Sequence, residues 1–265
     1  MAAKTPAMPR SLERVLMVLH GIAEAAEGLT LAELSDRLRA PKSTLLTLLR
    51  PLVGAGYLVH IGGRYSAGPA MFGFASDLLS AQRFPKLMRP FTEELAERSR
   101  ETVYVAVLDE EASRITYIDA IESPQPIRYG VPVGTTRPLY CSAAGRLLLA
   151  HQEEDWREAY VKTAQLERLT PRTITDRATL RKTLQEVRRT GLSISLEESA
   201  VGAGGIAAPI LGSTGQVFGA LMIGAPIDRF EATQPHLTRL IREMAGRASA
   251  ALGFVGVHPS GAARR

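Results

Sequence analysis

Cysteine is almost absent from this sequence. Among 265 residues there is one, Cys141, which excludes an internal disulfide and any cysteine-rich metal site. No stretch reaches the roughly 18 consecutive apolar residues of a membrane span. The first ten residues, MAAKTPAMPR, lack the apolar run of a secretory leader. The histidines (His20, His60, His151, His236, His258) are scattered, without metal-ligand spacing. No nucleophile-elbow pattern occurs. Gly202, Gly204 and Ala207 fit a loose Gly-x-Gly-x-x-Ala pattern. A dinucleotide loop needs a helix after it, however, and IAAPIL with Pro209 reads as a strand. The expectation is a soluble, cytoplasmic protein without a metal or cofactor.

What is present is a normal globular composition, 45% hydrophobic and 22% charged, long enough for one large domain or two ordinary ones. The net charge of +5 permits a polyanionic partner. Charge is unevenly placed: from Arg37 through Arg39, Lys42 and Arg50 to Arg64 only positive side chains appear. Such a run marks either a solvated face or a nucleic-acid contact.

The spacing predicts a first helix with Ser11 as N-cap and Leu12, Val15, Leu16, Leu19 and Ile22 on its inner stripe. TLAE, Thr30 to Glu33, is a capping box that starts a second helix through Leu38. A three-residue turn, RAP, leads into a third helix from about Pro41, with Leu45, Leu48, Leu49 and Leu52 inward. YLVHI and RYSAG then form a two-stranded hairpin around Gly62-Gly63. Three short helices and a hairpin outline a winged helix-turn-helix, whose third helix suits a major groove. The same unit also suits a protein-interaction wing.

Residues 69–84 read as a linker helix, with a further helix after Pro85. Phe72, Phe74, Leu78 and Leu79 offer apolar surface for either a dimer contact or internal packing. Beyond Thr102 the period changes to strands, TVYVAVLD and RITYIDAI around an EEAS turn. An extended segment, PIRYGVPVG, follows. Helices come next, starting at Ser142, at EDWREAYVKT, and at the N-cap Asp176 with Gly191 closing. LSISLEE, a Gly-rich turn, two strands around a Ser-Thr-Gly turn and a final helix at TQPHLTRLIREMAGRASAALGF complete an α+β unit with an antiparallel sheet. The boundaries expected are a disordered arm over 1–10, the winged helix-turn-helix domain over 11–68, the linker over 69–84, the α+β domain over 85–254 and a disordered tail over 255–265.

The chain resembles the IclR family of bacterial transcription regulators. The resemblance rests on SLERVLMVL, LTLAELSDRL, PKSTLLTLL and RYSAGPAMF in the first half. In the second it rests on ETVYVAVLD, VGTTRPLYCSAAGRLLLA, TITDRATLRKTLQEVRRTG, EESAVGAGGIAAPI and GQVFGALMIGAP. It implies a winged helix-turn-helix domain joined to a GAF-like effector-binding domain. It further implies a homodimer or dimer of dimers, a near-palindromic double-stranded operator, a small-molecule effector, and action as repressor or activator. On the third helix Lys42, Ser43, Thr44, Thr47 and Arg50 become the DNA candidates, with Arg14 and Arg64 for phosphates. Thr47 stands where the family commonly has Arg, which transfers base readout toward Arg50.

The family's ligand-contacting segments fall on Arg128 and Tyr129, on Ala143 and Ala144, on Ser195 with Gly202, Ala203 and Gly205, and on Met222 and Gly224. Where family members often carry Asp, Cys and Ser, this chain has Ser195, Gly205, Met222 and Gly224. A small oxyacid would be buried without partners there, so an aromatic or largely apolar effector is expected. The GAGG amides would hold one polar end, and Arg128 would pair with an acid. The alternative is a small-molecule-metabolising enzyme built on the second domain. Cys141 has no catalytic signature around it and reads as a small buried thiol.

Overall fold

The computed structural model describes residues 9–25, 27–79, 83–256 and 258–259. Contacts divide the chain into two units, Met1–Arg83 and Phe84–Arg265. The expected arm over 1–10 lies outside the described residues except for Pro9 and Arg10, which already form the cap and start of the first helix.

The first unit runs α1 (Arg10–Ala23), β1 (Leu29–Thr30), α2 (Leu31–Leu38), α3 (Lys42–Gly54), β2 (Leu58–Ile61), β3 (Arg64–Ala67) and α4 (Pro69–Leu79). Its core joins Val18 and Ile22 of α1, Leu34 of α2, Leu45 and Leu49 of α3, and Leu58 and Tyr65 of the hairpin, all buried. Two expectations for α1 fail. Pro9 is its N-cap, with no side-chain cap, so Ser11 lies inside the helix. Leu12 and Leu16 are 48% and 41% exposed, and Val18 takes the inner position. At about 100° per residue the inner arc centres on Ile22, and Leu12 and Leu16 are turned roughly 80° and 120° away from it.

The capping box of α2 is present as expected: the Thr30 hydroxyl accepts from Glu33 N–H at 3.2 Å, and the Thr30 N–H donates to the Glu33 carboxylate at 2.7 Å. Pro41 proves to be the cap before α3 rather than its first helical residue. The two-stranded hairpin is a three-stranded sheet, because β1 pairs with β3 through Leu29–Tyr65 and Thr30–Arg64. Gly28 enters that pairing at φ +68°, and a Cβ on it would sit 2.5 Å from the Tyr65 carbonyl oxygen, so only glycine fits.

The second unit runs α5 (Arg83–Ser99), β4 (Thr102–Asp109), β5 (Arg114–Ile121), β6 (Thr136–Pro138), α6 (Ala143–Ala150), α7 (Glu154–Thr163), α8 (Arg177–Thr190), β7 (Ser193–Leu196), β8 (Ala203–Leu211), β9 (Val217–Pro226) and α9 (Ile227–Ala251). The sheet order is β6-β5-β4-β9-β8-β7, with every neighbouring pair antiparallel. Strand alternation sorts its two faces. Tyr104, Ala106, Tyr117, Ala207 and Met222 pack with α6 and α8, while Val103, Val105, Ile206, Leu221 and Ile223 pack with α5 and α9.

Here too the boundaries shift. Pro85 lies in the first turn of α5 instead of before it, where a missing N–H costs nothing. The last helix begins at Ile227, six residues before the expected Thr233. The tail expected to be disordered from 255 contains a placed residue: His258 is buried, with Nε2 at 2.8 Å from the Pro209 carbonyl oxygen. The rest of that tail, 257 and 260–265, lies outside the described residues.

Two helix caps carry a pH dependence. The Thr30 N–H bonded to it holds the Glu33 carboxyl below its ordinary value. Bonds from the Thr179 hydroxyl and N–H hold Asp176 down in the same way at the start of α8. Groups depressed in the folded state stabilise it fully above their unfolded pKa, about 4, and lose that contribution as pH falls through the lower folded value. Glu33→Gln should lower stability in urea denaturation at pH 7, and its penalty should shrink toward pH 3 as the wild-type carboxylate protonates; an equal penalty at both values would show that the cap acts without the Glu33 charge.

Candidate functional site

The exposed side of α3 is set by the burial of Leu45 and Leu49 on the other. Ser43, Thr47 and Arg50, spaced by four and three, share one exposed face with Lys42 beside them, and Thr44 is half-buried. Lys42 and Arg50 make no ion pair among the described residues, so both charges are available to an external anion. The Thr47 hydroxyl donates back to the Ser43 carbonyl at 3.1 Å, which leaves its lone pairs and methyl outward. Arg50 borders a hollow of about 330 Å³ with Leu46, Val53, His60 and Tyr65, so helix and hairpin share one concave surface. His60 and Tyr65 stack at 4.2 Å, stiffening the hairpin. Its tip, Gly62-Gly63, has φ +58° and +78°, the geometry of a tight hairpin turn.

The two other predicted phosphate contacts divide. Arg14 is half-buried on α1 and has no ion pair among the described residues. Arg64 is partly exposed and braces the fold: Nε donates to the Glu27 carbonyl and Nη2 to the Gly28 carbonyl, both at 3.0 Å, and Glu33 lies 3.3 Å away. It ties β3 to the entry of α2 through Nε and Nη2, and Nη1 has no partner among the described residues.

In the second unit six of the ten residues expected at the effector site come together around one small cavity. Tyr129, Ala143, Ser195, Ala203, Gly205 and Met222 line it, with Ser142, Ser199 and Gly204 as lining residues that the sequence did not single out. Its volume is about 10 Å³, roughly one water-sized probe. Gly224 lies directly beneath it, since a Cβ there would meet the Tyr129 ring at 2.4 Å. A Cβ on Gly205 would press on the Met222 methyl at 2.9 Å. Glycine at these two positions is therefore what admits the Tyr129 ring and the Met222 side chain.

Three expected residues stand apart from the cavity lining. Arg128 is exposed and pairs with Glu122 at 2.8 Å. Gly202 sits in the turn before β8 at φ +77°, its N–H bonded to the Glu197 carboxylate at 2.7 Å. The Ala144 side chain is fully buried in the helix core.

The wall is aromatic. Tyr104 packs edge-on against Tyr129 at 5.9 Å and against Tyr117 at 4.9 Å, and the Tyr117 hydroxyl reaches the Met222 sulfur at 3.6 Å. Burial pushes the Tyr104 phenol up to about 12 and raises Tyr129, so these rings are neutral hydrogen-bonding groups at physiological pH. The polar end is the start of α6. Ser142 caps the helix, its hydroxyl accepting from Gly145 N–H at 3.0 Å. The Ala143 and Ala144 N–H groups, first in the helix, have no intrahelical acceptor. Such a terminus favours a carboxylate. Cys141 is buried, its thiol pushed up to about 11, and so unsuited to nucleophilic chemistry.

The cavity wall hangs on a residue absent from the sequence reading. Arg146, one turn into α6, is completely buried. Its guanidinium bonds the Tyr140 carbonyl at 3.2 Å, the Ile194 carbonyl at 2.6 Å and the Glu198 carboxylate. Helix, edge strand and the loop bearing Ser199 are thereby joined. Glu198→Ala should destabilise the second unit by about 3 kcal/mol in chemical denaturation, because it strands a buried charge. A loss under 1 kcal/mol would mean that water reaches the guanidinium.

Comparison with known proteins adds an independent line. The sequence model described as "Bacterial transcriptional regulator IclR C-terminal" matches residues 77–250, and that of the "IclR helix-turn-helix domain" matches 11–62. The chain is 30% identical over 222 residues to the transcriptional repressor IclR of Escherichia coli K12, covering 83% of this chain and 81% of that one. It is 31% identical over 249 residues to the HTH-type transcriptional repressor AllR of Klebsiella pneumoniae, covering 92% and 90%. Among solved structures, an IclR homolog from Microbacterium hydrocarbonoxydans, complexed with 4-hydroxybenzoate, superposes with a TM-score of 0.60 at 27% identity, covering 91% of this chain and 98% of that one.

Proposed function

The chain belongs to the IclR family of bacterial transcriptional regulators, and we propose how its two units divide that work. The protein is a ligand-responsive, DNA-binding regulator. In our reading α3 enters the major groove of a near-palindromic operator, with Lys42 and Ser43 on phosphates and Arg50 on a base edge. The carrying observation is the exposed Lys42–Ser43–Thr47–Arg50 face with unpaired cations. Arg64 braces the hairpin through Nε and Nη2 and keeps only Nη1 for a phosphate. Two copies are needed to read a palindrome. Exposed Leu12, Leu16 and Met17 on α1 and Phe72 and Phe74 on α4 supply apolar surface for pairing.

The cavity beside Tyr129 receives the effector, an aromatic acid from a catabolic or transport route. Tyr104, Tyr117, Tyr129 and Met222 take the ring, and the start of α6 takes the carboxylate. A relative crystallised with 4-hydroxybenzoate supports this class. Because the cavity is so small, the effector enters by displacing Tyr129 and Met222. Ligand binding then favours one arrangement of the effector units and changes operator affinity by its differential affinity for the two arrangements. The role is binding rather than catalysis.

Lys42→Ala should weaken binding across sequences and lower the log–log salt slope by about 1. Arg50→Ala should cost about 1–3 kcal/mol and relax preference at one base position. Uniform weakening by Arg50→Ala would move it to the phosphate class. Gly205→Ala, which drives the Met222 methyl into the cavity, should weaken effector binding by about 1–3 kcal/mol in calorimetry. Operator affinity without effector should stay unchanged; an unaltered effector affinity would place the effector elsewhere.

A further inference from the structure

A groove of about 710 Å³ crosses the sheet edge at β7, between α8 and α9. It lies apart from the effector cavity yet shares a strand with it. Its volume is that of a small-molecule site. The floor is apolar, made by Val187, Leu192 and Ile194. Above the floor, Gln234, Thr238 and Arg242, spaced by four, form one ridge of α9, and Lys182 stands on α8 opposite.

Three other arginines of α5 and α9 are committed: Arg229 to Glu101 at 2.7 Å, Arg98 to Glu243 at 2.7 Å and Arg247 to Glu94 at 2.6 Å. Arg242 has no ion pair or hydrogen bond among the described residues, and its Nε is buried without an acceptor. The acid in the groove, Glu186, is bonded to Arg189 on its own helix. The groove thus offers an unanswered guanidinium and an ammonium above an apolar floor.

We propose that this groove is a second ligand site, for an organic anion with an apolar body. The carboxylate lies on Arg242, with Lys182 near it and Thr238 in hydrogen-bonding range, and the body covers Val187 and Ile194. Strand geometry links this site to the effector cavity. Successive residues of a strand face opposite ways, so Ile194 floors the groove while Ser195 lines the cavity. The Ile194 carbonyl is also the acceptor that holds Arg146 at 2.6 Å. An anion seated here biases β7, and through it the cavity, so that two metabolites act on one regulator.

The test is titration of the full chain with 2-naphthoate and its neutral analogue 2-naphthamide, by calorimetry and by amide hydrogen exchange. Naphthoate should protect 182–194 and 234–242 and bind roughly tenfold or more tightly than the amide at this site, the scale of a charge-assisted pair. Arg242→Gln, a partly exposed position that leaves the core intact, should abolish that preference, and Arg242→Lys should retain most of it. Equal binding of acid and amide, or protection of 234–242 that survives Arg242→Gln, overturns the proposal. Protection confined to 129, 143 and 203–205 also overturns it, while leaving the effector cavity standing. Groove protection with those segments unaffected upholds it and counts against the cavity alone.

Discussion

The Arg146 guanidinium is completely buried, and three acceptors meet its two terminal nitrogens while its Nε–H has none. Burying a charge costs several kcal/mol unless its partners are well placed. Here they come from two stretches of chain: the Tyr140 carbonyl just before α6, and, about fifty residues on, the Ile194 carbonyl on the edge strand with the Glu198 carboxylate in the loop that follows. No one of these can move far without leaving the guanidinium underbonded. The wall of the candidate cavity formed by Ser195 and Ser199 is therefore fixed to the helix whose start supplies the polar groups. On the opposite side Tyr129 is held by packing against Tyr104, and the Thr102 hydroxyl donates to its carbonyl at 2.6 Å. One wall is bonded, the other packed.

Arginine serves the first unit in two contrasting ways. Arg64 spends Nε and Nη2 on backbone carbonyls and braces the hairpin against α2. Arg37 is paired with Glu24. Arg50 and Lys42, on the outer face of α3, have no such partners. The positive run in the sequence thus contains both internal braces and available contacts, and its charge count overstates the surface presented to DNA.

Sequence reading reached much of what is decided locally, though the cap expected at Ser11 falls to Pro9. The caps at Thr30 and Asp176 are each set by a side chain and an N–H three residues on, and both are present. The β4–β5 and β8–β9 hairpins follow from alternation and turn chemistry. What escaped depends on distant partners. β1 is two residues long and exists because Tyr65 and Arg64 lie beside it. The inner arc of α1 is chosen by what covers it, and Val18 outcompeted Leu12. Arg128 enters the sequence reading because it lies next to Tyr129, and Arg146 does not enter it. Arg128 is drawn away by Glu122, six residues back, while Arg146 meets acceptors some fifty residues on. Tyr104 and Tyr117 were within reach: period-two counting along β4 and β5 places them on the helix-covered face with Ala106 and Ile115. Of the residues brought by resemblance, Gly205 and Gly224 lie in the backbone around the cavity, whereas the Arg128 side chain takes its own partner, Glu122.

The four residues of β7 keep two surfaces distinct by parity alone: Ser193 and Ser195 face one way, Ile194 and Leu196 the other. A substitution there alters one surface. The loss or gain of a single residue between Thr190 and Glu197 would exchange them, turning isoleucine into the cavity and serine toward α9, and would carry the Arg146 acceptor to the wrong side of the strand. Change in this segment is thus confined to replacement at constant length if each surface is to keep its side of the strand.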